Sequence, residues 1–289
     1  MLKKKNFILV FVLLVVIGGA LYGTNYTTKK QQKELAQVIK VKQEESKAKI
    51  YAATKAILTT KTLAEKKALV RIEKKKKNTS ENSQKIIVID PGHGSVTSSK
   101  TEHRDPVSSI MKIIEPGGGQ GINTKTPEYV VNMAVALKLK SLLQAKGYKV
   151  EMTKTQNSVL MGSKERAAIG NAAHAALVIR IHADGNNNLS VNGASMLVPA
   201  DAKYTDDIYK VSKKYGQIVF NNLIKDVGMN NRGVVERSDM TGFNWSDVPV
   251  ILVEMGFQSN AREDKLLTTG SYQEKLAQGL ADGINQALK

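Results

Sequence analysis

From residue 85 onward, short apolar runs alternate with longer stretches whose apolar positions recur at helical spacing. The runs at 85–90, 149–153, 177–181, 194–198 and 249–253 each have the length of one strand, and several are apolar at consecutive positions, as in strands covered on both faces. Between them 127–146, 163–174, 206–226 and 271–288 read as helices. The first has Thr126 as its expected N-cap, Pro127 in the first turn and Gly147 at its end. This alternation predicts an α/β domain built on a mostly parallel, twisted sheet flanked by helices. The stretch 95–125, with Gly117-Gly118-Gly119 in it, breaks the pattern and reads as a long irregular loop, a kind of segment that is usually functional or mobile.

Ahead of residue 85 the pattern is different. Phe7 to Gly23 is an unbroken apolar run of 17 residues preceded by Lys3, Lys4 and Lys5, near the lower limit for a membrane-spanning helix. Gly18-Gly19-Ala20 makes a poor cleavage site, with Leu21 and Tyr22 still apolar beyond it, so an uncleaved signal anchor is expected rather than a signal peptide of a secreted protein. The short basic tail would stay in the cytoplasm and the bulk of the chain would lie outside the membrane. Residues 29–77 are rich in Lys, Glu, Gln and Ala, lack Gly and Pro, and read as a helical stalk. Ile50, Ala53, Ile57 and Ala64 follow a 3.5-like spacing over too few heptads for a coiled coil, which favours a solvated stalk over one that binds a protein partner. Asn78 to Ser83 read as a polar linker. The expected organisation is a cytoplasmic tail and transmembrane anchor over 1–28, a basic stalk and linker over 29–84, and a folded domain over 85–289.

Charge sharpens this division. Residues 1–84 carry 19 Lys and Arg against 6 acids, and residues 85–289 carry 24 against 20, so the basicity belongs to the front of the molecule. The basic stretch beyond the apolar run has Tyr26 and Tyr51 as its only aromatics, which argues against a nucleic-acid partner. The chain has no cysteine, so disulfides and thiolate ligands are excluded and any metal must be held by His and carboxylates.

Three of the apolar runs end alike. Ile86 to Asp90 leads into Pro91-Gly92-His93-Gly94, Leu177 to Ile181 into His182, and Val250 to Val253 into Glu254. The carboxyl ends of strands in an open α/β sheet form the crevice where ligands bind, so these three side chains are expected to converge. Two His and one carboxylate with an open position for water form a catalytic zinc set. The carboxylate is Glu128, in the first turn of its helix, or Glu115, before Pro116, and spacing does not choose between them. Glu254 suits a proton carrier, and its other reading, a rim glutamate paired with Arg180, need not exclude that role. His103 and His174 have no partner context and read as solvated or packing residues.

These motifs carry a resemblance. Ile87 to Gly94, then Pro127-Glu128-Tyr129-Val130-Val131-Asn132, Arg166, Asn171, Ile181-His182-Ala183, Asn231 to Arg237 and finally Val253 to Asn260 resemble, in order, the zinc-dependent N-acetylmuramoyl-L-alanine amidases of the Amidase_3 type. The resemblance spans about 85–288. It implies that His93, Glu128 and His182 bind Zn2+, that Glu254 is the catalytic carboxylate, and that the substrate is the bond between N-acetylmuramic acid and L-alanine in peptidoglycan. Alternatives are a related zinc peptidase or deacetylase, and a catalytically silent wall-binding or regulatory module. The 35 residues from His93 to Glu128 exceed the gap in shorter members of the family. A capped helix start favours Glu128 as the ligand, whereas Glu115 on a lid folded over the zinc would occupy the position meant for water and hold the enzyme inactive.

Overall fold

The computed structural model describes residues 29–289. The apolar run at 7–23, and with it the expected anchor, lies outside the described residues, among which no helix is long and apolar enough to cross a membrane. The chain divides into two compact units, one up to Glu73 and one over Lys74–Lys289. Helix α1 (Lys29–Asn82) accounts for the described part of the first unit and continues into the second through the residues expected to form a linker. That segment is polar but holds no Gly or Pro, so nothing local stops the helix. Its end is set by tertiary contact: Asn82 Nδ2 donates to Lys146 O at 2.9 Å and Asn82 O accepts from Lys85 N at 2.9 Å.

The second unit follows with β1 (Ile86–Pro91), a hairpin of β2 (Ser98–His103) and β3 (Met111–Glu115), α2 (Glu128–Ala145), β4 (Lys149–Met152), α3 (Ser163–Ala172) and β5 (Leu177–Asp184). Then come β6 (Ala194–Pro199), α4 (Tyr209–Val227), β7 (Asn231–Arg237), α5 (Thr241–Asn244), β8 (Val250–Phe257), α6 (Ala261–Leu267) and α7 (Gly270–Ala287). Six strands form one sheet in the order β4-β1-β5-β8-β6-β7. All neighbours are parallel except β6 and β8, so the sheet is mixed with a single antiparallel junction.

Strand parity organises the unit. Side chains alternate between the two faces of a sheet, and Ile87, Ile89, Ile179, Ile181, Ile251, Val253 and Met196 all enter the larger core with residues of α2, α4 and α7. The intervening positions Val88, Val178, Val250, Leu252 and Leu197 form a smaller core with Phe243 and Ile208. Further along that second face the same alternation presents Asp90 on β1, Arg180 and His182 on β5 and Glu254 on β8.

Three strands are not where the hydrophobic pattern looks for them: β2 and β3, whose hairpin occupies the expected irregular loop, and β7 at the sheet edge. All three are largely exposed, so none shows a buried face in its sequence. The start of α2 also differs: Pro127 is the N-cap, with no side-chain cap, while Thr126 O is drawn back into the loop by Gly121 N at 2.9 Å and Gln258 Nε2 at 3.2 Å.

Candidate active site

β1 delivers His93 through a turn that only its own residues permit. A Cβ on Gly92 would stand 2.3 Å from Cε1 of His182, so glycine is what lets the turn pass against that ring. His93 itself adopts a left-handed backbone with φ 57°, uncommon for a residue with a side chain and a feature often found at functional sites. The two imidazoles stand edge to face, centroids 4.9 Å apart.

Glu128, in the first turn of α2, lies between them. Its Oε1 is 3.1 Å from His182 Nδ1 and its Oε2 is 3.5 Å from His93 Nε2. The carboxylate also accepts from Gly119 N at 3.0 Å, Ala183 N at 3.2 Å and Asn132 Nδ2 at 3.2 Å. Burial alone would raise the pKa of Glu128, but the His182 hydrogen bond and the neighbouring imidazoles outweigh it and bring it down to about 2. Burial pushes His182 the other way, toward the neutral ring. One donor atom from each of His93, Glu128 and His182 lies within 4.8 Å of the others, the one such group found among the described residues. His182 Nε2 is buried with no hydrogen-bond partner among the described residues. Two imidazoles, one ionised carboxylate and no thiolate fit a zinc ion.

Glu254 stands apart from this cluster. It is paired in register with His182 on the neighbouring strand, and its Oε2 is buried without a hydrogen-bond partner among the described residues. Burial first, then the charges of Glu128 and Asp184, push its pKa well above the ordinary carboxylate range. The alternative reading, a pairing of Glu254 with Arg180, is not formed. Arg180 Nε donates to Asp90 Oδ2 at 2.8 Å, because β1 and β5 lie side by side with Asp90 in register with Arg180. Glu254, Arg180 and His182 face a cavity of ≈ 350 Å³ whose other wall includes Glu102 and Lys112 of the hairpin.

Behind the site is a buried ionic layer. Asp90 accepts from Arg166 Nη1 at 2.8 Å and Thr153 Oγ1 at 2.7 Å as well as from Arg180. Burial would raise its pKa, but the two guanidiniums outweigh this and hold it far below the usual carboxylate range. Arg166 Nη2 reaches Glu115 Oε2 at 3.3 Å, and Glu115 Oε1 lies 3.1 Å from His93 Nδ1. Glu115 is therefore not a lid carboxylate over the donor cluster: it sits at the end of β3 on the far ring nitrogen of His93, with both oxygens engaged. His103 and His174 are exposed and outside the site.

Two further residues carry no signal in the sequence. Glu102, on the polar strand β2, accepts from Ser163 N at 2.8 Å and Lys164 N at 3.1 Å and so ties the hairpin to the start of α3. Lys154, just past β4, is 4% exposed, and its Nζ has no hydrogen-bond partner among the described residues. Burial, then the charge of Arg166, push its pKa down to about 8.

Residues 87–286, from β1 into α7, match the Amidase_3 family, described as N-acetylmuramoyl-L-alanine amidase. The chain belongs to this family. The N-acetylmuramoyl-L-alanine amidase AmiC of Neisseria meningitidis is 26% identical over 238 residues, covering 70% of this chain and 52% of that protein. The chain thus spans about half the length of that curated relative. Among solved structures, the amidase Ami1 of Mycobacterium smegmatis shares the fold, with a TM-score of 0.63 at 23% identity over 71% of this chain and 96% of that one. The CwlD amidase of Clostridioides difficile, solved in complex with the GerS lipoprotein, has a TM-score of 0.59 at 27% identity over 71% of this chain and 98% of that one. The Amidase_3 match covers every strand and helix that supplies the site, including the hairpin that lengthens the path from His93 to Glu128.

Proposed function

We propose that the folded unit is a zinc-dependent amidase that cuts the amide between the lactyl group of N-acetylmuramic acid and L-alanine in peptidoglycan. His93, Glu128 and His182 would hold the ion, which when bound supplies Lewis-acid polarisation of the carbonyl and a lowered pKa for water. The observation that carries the reading is Glu254, a buried carboxyl beside the three-donor cluster with one oxygen left unbonded. A carboxyl whose pKa burial raises above the ordinary carboxylate range is, when ionised, a stronger base that can take a proton from the attacking water and return it to the leaving amine nitrogen. The cavity beside Glu254 leaves room for the substrate on the hairpin side. Family membership and the names of the relatives support the choice of bond.

Retention of Glu254 and all three donors argues against a silent wall-binding module. A peptidoglycan substrate supports a location in the bacterial cell envelope or outside the cell, and the apolar run at 7–23 supports tethering by an N-terminal anchor. A protein partner for this chain is supported only by the CwlD amidase having been solved in complex with a lipoprotein; the stalk helix is the surface proposed for it.

The test is digestion of purified peptidoglycan by the full chain with and without a chelator. Free L-alanine amino termini, with glycan chains uncut and activity lost to the chelator, are expected. New reducing sugars without free alanine, released acetate, or new termini inside the stem peptide would each point to another hydrolase.

A further inference from the structure

The two histidines of the donor cluster are held in different ways. His182 is walled in by the backbone of Gly92, and its side chain is 11% exposed. His93 is 21% exposed and rides on a left-handed turn, so packing alone does not set the angle of its ring. What meets it from behind is Glu115. The Glu115 carboxylate can only accept a hydrogen bond, and a neutral imidazole carries one N–H and one lone pair. With Glu115 Oε1 3.1 Å from Nδ1, the proton belongs on Nδ1 and the lone pair on Nε2, the nitrogen that faces Glu128 at 3.5 Å. An ion held by Nε2 needs that lone pair, which leaves Nδ1 to carry the proton toward Glu115.

Glu115 is in turn fixed from several sides. Arg166 holds Oε2 and is itself anchored by Asp90 and by Pro91 O at 2.9 Å. The hairpin that carries Glu115 is tied down by its own Glu102 accepting from Ser163 N at the start of α3, by Trp245 Nε1 donating to His103 O at 2.9 Å, and by Asn244 Nδ2 donating to Arg104 O at 3.3 Å.

We infer that Glu115 is a positioning residue of the metal site, which fixes the tautomer and ring orientation of His93 and thereby raises metal affinity. The inference rests on the zinc reading proposed above. The hairpin inserted between His93 and Glu128 then has a definite role, bringing a carboxylate to the back of a ligand.

The sharpest substitution is Glu115→Gln. An amide that turns its oxygen to His93 must turn its NH2 to Arg166, which offers only donors, and the opposite orientation sets NH2 against Nδ1–H. The full chain, freed of metal, is titrated with Zn2+ against a competing chelator, and the His93 ring nitrogens are followed by 15N NMR in the zinc-loaded state. Zinc-loaded wild type is expected to carry the proton on Nδ1 and to leave Nε2 unprotonated. Glu115→Gln is expected to unfold at a similar temperature and to bind zinc about 10–100-fold more weakly, the usual cost of losing such a partner. Zinc affinity within twofold of wild type in folded Glu115→Gln would overturn the inference. So would Nε2–H on His93 in zinc-loaded wild type, a result that needs no variant. Failure of wild type itself to bind zinc would instead sink the reading of the site.

Discussion

His182 and Glu254 stand side by side in register on the adjacent parallel strands β5 and β8, yet only His182 belongs to the three-donor cluster. His182 turns Nδ1 to Glu128, while Glu254 keeps one oxygen unbonded beside the cavity. On the proposed reading, neighbouring strand positions would divide the work between holding an ion and moving a proton.

Glu254→Gln separates the two roles. The change removes a proton acceptor with little change of shape, so the variant should keep its zinc, measured by atomic emission, while kcat falls by about 10² or more. Loss of zinc along with activity would make Glu254 a ligand.

Gly92→Ala should reach the same chemistry from the backbone. The added methyl meets the His182 ring at 2.3–2.6 Å, so the ring must move away from Glu128. Weaker zinc binding is expected by chelator competition, in a protein whose far-UV circular dichroism is unchanged. Zinc affinity equal to wild type would show that the turn can give way without disturbing His182.

Asp90→Asn should cost about 3–5 kcal/mol in urea unfolding, because it leaves two buried guanidiniums facing a neutral amide. The pH dependence follows from the lowered pKa of Asp90. Below its unfolded value of about 3.8 the unfolded chain binds the proton first, so this contribution is present above that pH and is lost as pH falls toward the lower folded value. Wild type and variant should therefore converge in stability as the pH drops below that point. A constant difference down to strong acid would show that Asp90 does not act through its charge.

Lys154→Met should stabilise the protein by roughly 1–3 kcal/mol at neutral pH, since a buried ammonium without a partner is replaced by a side chain of similar length. The folded pKa is pushed down to about 8 from 10.5, so the unfolded state binds more protons between those values and wild-type stability rises with pH there. The gain should be full below about 8 and fade toward 10.5 in thermal melts. A destabilised variant at neutral pH would mean that Lys154 balances Asp90 and Glu115.

Much of the larger unit was legible because its four inner strands β1, β5, β6 and β8 announce themselves as apolar runs, and because the polar residues closing three of them share one face. The hairpin was not, since Ser98 to His103 is mostly exposed and polar and offers no apolar alternation to read. Nor could sequence choose between Glu115 and Glu128: both are buried, at 3% and 4% exposure, and only distance tells the carboxylate between two imidazoles from the one behind a single ring. The Arg180 pairing went astray for a related reason. Asp90 and Glu254 lie on the same face, on either side of β5, and which of them claims the guanidinium is settled by geometry between strands.

Strand parity also limits how such a catalyst can change over evolutionary time. One residue inserted within β1, β5 or β8 would turn Asp90, His182 or Glu254 into the apolar core, and a pair of residues would keep the face but shift the side chain by about 7 Å. Lengths within these strands can therefore drift only in steps too large for the chemistry to follow. The connection between His93 and Glu128 is under no such rule. An insertion there need only return the chain to its starting point, and this is where the protein carries a whole hairpin.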